Sequence, residues 1–110
     1  MSHYISDVGV FNIKLTLIGQ GLTVVHFFAR WSVPCNYMHP IYEELAHTYS
    51  KHSFLRVDID ACEELARRYQ ISIVPTFVFI VEEKKYEVVI GANHALLNEI
   101  LLGFEAVNHN

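Results

Sequence analysis

The sequence predicts one α/β domain spanning residues 1–110, with a mixed sheet of four to five strands and four helices on its two faces. Three observations carry this prediction. Leu22–Ala29 and Thr76–Val81 are dense in β-branched and aromatic residues, as strands covered on both faces are. Segments with apolar residues at three- and four-residue steps alternate with strand-like ones. A charged stretch, Glu82-Glu83-Lys84-Lys85, turns the chain between two strands that must then run antiparallel.

Ser6 or Asp7 is placed to cap a first helix reaching about Ile18, with Gly9 weakening its first turn. A further strand ahead of it would complete the sheet. Gly19-Gln20-Gly21 turns the chain into the Leu22–Ala29 strand. Asn36–Ser50 reads as a second helix with Met38, Ile41, Leu45 and Tyr49 as its apolar stripe and Pro40 as an expected kink. Ser53–Ile59 alternates as a short strand, with Arg56 and Asp58 assigned to a solvated or edge face. Asp60 is placed to cap a third helix carrying Cys62, Leu65, Ala66 and Tyr69. Thr76–Val81 and Tyr86–Ile90 form the hairpin. His94–Phe104 closes the domain with Leu96, Leu97, Ile100 and Leu101 inward.

Composition removes several function classes. Apolar residues are 52% and charged residues 18% of the chain, which excludes a disordered segment and leaves enough material for a core. A net charge of −4 argues against a partner recognised through nucleic-acid phosphates. Two cysteines are too few for a disulfide framework. The most apolar stretch, Ile71–Val81, is too short to cross a bilayer, so no membrane partner is expected. Met1–Asp7 lacks a basic region followed by an apolar run, so the expected location is cytoplasmic, where thiols stay reduced. No glycine-rich phosphate loop or dinucleotide fingerprint is present, and no cofactor is assigned.

Chemistry concentrates in Arg30-Trp31-Ser32-Val33-Pro34-Cys35, between the end of the most buried strand and the start of a helix. Reactive groups in open α/β sheets gather at strand carboxyl ends. A helix start adds free N–H groups and a positive dipole end. Cys35 and His39 share a helix face, and His26 is expected beneath it. These three could form a partial soft-metal set, or an imidazolium could lower the Cys35 pKa. With no fourth ligand in sequence, no metal is assigned. The plainer reading of His26 is a buried, neutral, hydrogen-bonded ring.

Val24-Val25-His26-Phe27-Phe28-Ala29-Arg30-Trp31-Ser32-Val33-Pro34-Cys35, Pro40, Val57-Asp58-Ile59-Asp60, Val74-Pro75-Thr76 and Gly91-Ala92 together resemble the thioredoxin family along nearly the whole chain. The likeness is strongest to animal-type cytosolic members, partly through Asp60-Ala61-Cys62 and Gly91-Ala92-Asn93. The resemblance implies the thioredoxin fold and a Trp-Cys-Gly-Pro-Cys motif at residues 31–35. Ser32 therefore stands where the family has its nucleophilic cysteine, and Cys35 matches the resolving one. His26 stands where the family usually has a buried aspartate. An imidazole with an ordinary pKa could assist Cys35 in its place.

The resemblance further implies a cis Val74–Pro75 bond and a hydrogen bond from the Trp31 indole to Asp60. It also implies a shallow apolar groove from Trp31, Val33, Pro34, Val74, Pro75 and Ala92 that pairs with an extended peptide of a partner protein. Cys62 reads as a small structural thiol.

Two functions follow. One is a redox-impaired thioredoxin-like protein that keeps the groove and uses Cys35 at most as a single thiol, for a mixed disulfide with a partner or for glutathione attachment. The other is an ordinary protein-disulfide reductase whose cysteine at position 32 was exchanged for serine. A reductase partner is implied only in that second case. His26 and Val33 favour natural divergence, because such an exchange gives no reason for either.

Overall fold

The computed structural model describes residues 1–108. Residues 109 and 110 of the predicted domain lie outside the described residues. The elements are β1 (His3–Tyr4), α1 (Val8–Leu17), β2 (Leu22–Phe28), α2 (Val33–Thr48), β3 (Ser53–Asp58), α3 (Glu63–Arg68), β4 (Thr76–Val81), β5 (Lys84–Ile90) and α4 (His94–Asn108). The sheet order is β1-β3-β2-β4-β5. Parallel pairing joins β1 to β3 and β3 to β2, while β4 and β5 run antiparallel to their neighbours. This is the mixed sheet the sequence predicts, with a two-residue β1 as its fifth strand.

Strand β2 is central because both of its faces are apolar. Leu22 and Val24 join the core beneath α2 and α4, which includes Tyr42, Phe54, Phe77, Phe79, Leu97 and Leu101. Val25 and Phe27 join the opposite core beneath α1 and α3, with Phe11, Leu15, Leu55, Val57 and Leu65. Such burial stabilises by about 25 cal/mol per Å² of apolar surface. The Tyr42 hydroxyl lies 2.8 Å from the carbonyl oxygens of both Val24 and Leu55, which pins α2 over β2 and β3.

Several local readings are corrected. Helix α2 begins at Val33 instead of Asn36, because Ser32 caps it and Pro34 occupies its first turn, where no N–H is required. Its buried stripe is Cys35, Met38, Tyr42 and Ala46, while Ile41, Leu45 and Tyr49 pack at the edge of that core. Asp60 does not cap α3. Cys62 occupies the cap position without a side-chain cap bond, so it precedes the helix. Strand β5 begins at Lys84, because the turn is only Glu82 and Glu83, both with positive φ. Asp58 is buried and ion-paired to Arg30 at 3.1 Å, not on a solvated face. Asp7 caps α1 by accepting from the Val10 N–H at 2.9 Å.

Candidate functional site

The loop after β2 delivers Trp31 to the surface and turns the chain into α2. Trp31 is 70% exposed, and its Nε1–H donates to Asp60 Oδ2 at 2.9 Å. Asp58 Oδ1 accepts from the Asp60 N–H at 2.9 Å, while Oδ2 accepts from Arg30 Nε–H at 3.1 Å. This carboxylate joins the β3 end to the loop that carries Trp31.

Ser32 is buried, with extended backbone dihedrals, and its Oγ accepts from the Cys35 N–H at 3.3 Å. Its carbonyl accepts from the Asn36 N–H at 3.1 Å. The residue is therefore the N-cap of α2, satisfying donors that a helix start leaves open. Ser32→Ala is expected to cost about 1 kcal/mol of stability, within a range of about 0.5–2. Urea denaturation of the variant checks this, and an unchanged midpoint would contradict the cap.

Cys35 is 2% exposed, three residues from the cap. Cys62 is also buried, and both thiols are free. Val33 and Pro34 are exposed on the first turn of α2, which they share with Cys35. The Val74–Pro75 peptide bond is cis. The Pro75 carbonyl accepts from the Gly91 N–H at 2.8 Å, which ties the segment carrying exposed Ala92 to the loop before β4. Gly91 has φ +91°, a conformation that suits glycine.

His26 is buried and neutral, as its plainer reading expects, but it lacks the hydrogen bond that reading included. The ring is buried on the α2 side, stacked on Phe77 with centroids 4.6 Å apart, and neither ring nitrogen has a hydrogen-bond partner. Burial, with lesser contributions from His39 and Arg56, lowers its pKa to about 3. It is thus neutral near pH 7, and is neither an imidazolium beside Cys35 nor a base of matched pKa. Among the described residues, no group of three or more His, Cys, Asp or Glu side chains is placed to hold a metal ion. His39 is exposed on α2.

The thioredoxin profile matches residues 9–101. The chain belongs to the thioredoxin family. It is 33% identical to horse thioredoxin over 103 residues, which span 94% of this chain and 98% of that one. It is 42% identical over 78 residues to the TPR repeat-containing thioredoxin TDX of Arabidopsis thaliana, covering 71% of this chain but only 20% of that protein. The structure of reduced Schistosoma mansoni thioredoxin pre-protein superposes with a TM-score of 0.88 at 35% identity, covering 93% of this chain and 96% of that one. A poplar thioredoxin h gives 0.90 at 27% identity, covering 94% and 95%.

Within this thioredoxin-family chain, the cavity that reaches Cys35 is lined by His26, Phe28, Arg30, Asn36, His39 and Arg56. Sequence reading reached His26, Cys35 and His39 but missed the other four, Phe28, Arg30, Asn36 and Arg56, as site residues. The signal for Arg56 was its pairing with His26 across parallel strands, which becomes visible only once the register is known. Arg30 was readable only as the residue before the tryptophan.

Proposed function

We propose that this chain is a redox-impaired thioredoxin-family protein that binds extended polypeptide segments and holds one exchange-competent thiol, Cys35. The observation that carries this reading is Ser32, whose Oγ serves as the cap of α2 at the position of the family's attacking cysteine. A serine hydroxyl forms no mixed disulfide, so the first step of dithiol exchange has no nucleophile at residue 32. Trp31, Val33, Pro34, Val74, Pro75 and Ala92 form the peptide groove in this reading. The Gly91–Pro75 hydrogen bond supports it, because it ties the segment carrying Ala92 to the loop before β4. Asp60 orients the Trp31 indole. The partner is a protein, and the two free thiols suit the cytoplasm of an animal-type member. No helix among the described residues is long and apolar enough to cross a membrane.

Trp31 is the only tryptophan, so its fluorescence reports the groove directly. Titration with extended peptides lacking cysteine is expected to shift and saturate that emission. Trp31→Phe with a labelled peptide should weaken binding several-fold, as loss of an interface aromatic does. An emission unchanged across a peptide panel, together with no labelled-peptide binding, would overturn the groove.

A further inference from the structure

The cavity beneath the start of α2 has a volume of about 320 Å³, at the small end of ligand pockets. Its lining contains two guanidinium groups and two imidazoles, and no carboxylate. Arg30 and Arg56 both lie against the Tyr4 ring, 5.8 and 5.7 Å from its centroid. Arg30 uses its Nε on Asp58, and Arg56 uses its Nε on Ser2 Oγ while standing 4.0 Å from Glu43. Neither Asp58 nor Glu43 lines the cavity, and the Nη nitrogens of both arginines have no hydrogen-bond partner among the described residues.

The second observation is His26. It is 1% exposed, it lines this cavity, and both its ring nitrogens are unpartnered. A buried polar group left unpaired costs about 1–3 kcal/mol, and a ligand that hydrogen-bonds the ring would recover it. Cys35 lines the same cavity. The site thus joins a thiol, an unsatisfied imidazole and two guanidinium forks suited to carboxylates.

We propose that this cavity binds a small disulfide bearing carboxylate groups and presents it to Cys35 for exchange. The proposal rests on the single-thiol reading above. In the step, the Cys35 thiolate attacks one ligand sulfur. A Cys35–ligand disulfide forms as the ligand S–S bond breaks, and the other half leaves as a thiolate that takes up the proton Cys35 released. Cys35 is oxidised, the departing half is reduced, and no further oxidant enters. Residue 32 offers no thiol to reverse the adduct, so it persists until an external thiol removes it.

The test is the rate of Cys35 modification by three probes: oxidised glutathione (anionic), hydroxyethyl disulfide (neutral) and cystamine (cationic). Each rate is divided by that of the urea-unfolded chain, which has no pocket, and peptide mass mapping separates Cys35 from Cys62. The proposal expects the folded-to-unfolded ratio to be about tenfold higher for oxidised glutathione than for hydroxyethyl disulfide, and lowest for cystamine. Raising salt to about 0.5 M should shrink that order. Arg30→Gln and Arg56→Gln should each reduce it, with Arg56→Lys retaining most of it. The chain's net charge of −4 alone would favour cystamine, so the expected order runs against the global field. An order set by global charge, modification confined to Cys62, or a preference unaffected by both Gln variants would overturn the proposal. Peptide titration of the groove and multi-turnover reduction assays test the underlying function separately, because the probe order reads the first exchange step alone.

Discussion

His26→Leu is expected to remove much of the acid sensitivity of this protein's stability. The folded-state pKa of His26 is about 3, against 6.5 for the unperturbed side chain. Below pH 6.5 the unfolded chain binds a proton that the folded chain excludes, so stability rises with pH across the window from about 3 to 6.5. The contribution is complete above the unfolded value and is lost as pH falls. The slope is about 1.4 kcal/mol per pH unit, so moving from pH 7.5 to 4.5 should cost about 2–3 kcal/mol through this residue. His3 and Glu105 also have lowered pKa values and push in the same direction, so the informative quantity is the difference between parent and variant. Urea denaturation at both pH values measures it. Leu also removes two unpartnered ring nitrogens, so the variant is expected to match or exceed the parent at pH 7.5. An identical pH loss in parent and variant would show that His26 is accessible to protons in the folded protein.

Ser32→Cys is expected to produce the largest gain in activity. The introduced thiol would replace the cap at the start of a sixteen-residue helix, one turn from Cys35. Helix N-termini lower thiol pKa values and supply thiolate near neutral pH. The variant then has both an attacking and a resolving thiol, so multi-turnover reduction of a disulfide-linked protein should rise on the order of a thousandfold or more, as when a lost nucleophile is regained. The cost is the cap, about 1 kcal/mol. A variant that folds, keeps both thiols reduced and still fails to turn over would show that other substitutions disarm the site.

The element order was legible because β2 and β4 are apolar on both faces and the helices keep a steady spacing. Ser32 was read, through family likeness, as standing at the nucleophile's position, but it was not legible as a cap, since the helix was read as starting at Asn36. That boundary depends on one serine accepting a backbone N–H, which periodicity does not report. Trp31 and Asp60 were paired through family likeness, and the structure shows that bond, whereas the alternative role of Asp60 as the α3 cap is absent. The plainer reading of His26 as a buried neutral ring holds, whereas its alternatives as an imidazolium or a base of matched pKa fail, because an ordinary imidazole pKa assumes solvent or a partner. Packing against Phe77, Tyr42 and Phe28 leaves the ring neither. Arg56 was assigned to a solvated face because alternation gives a side chain's direction but not what covers it. It lies across from His26 in the strand register and is only partly exposed.

The most direct measurement is sustained reduction of a disulfide-linked protein by the unmodified chain, with reductant in excess and Ser32→Cys as the positive control. The predicted result is no turnover above the reductant's own background, with at most one exchange event per chain through Cys35. Multiple turnovers by the unmodified chain, abolished by Cys35→Ala, would contradict the account.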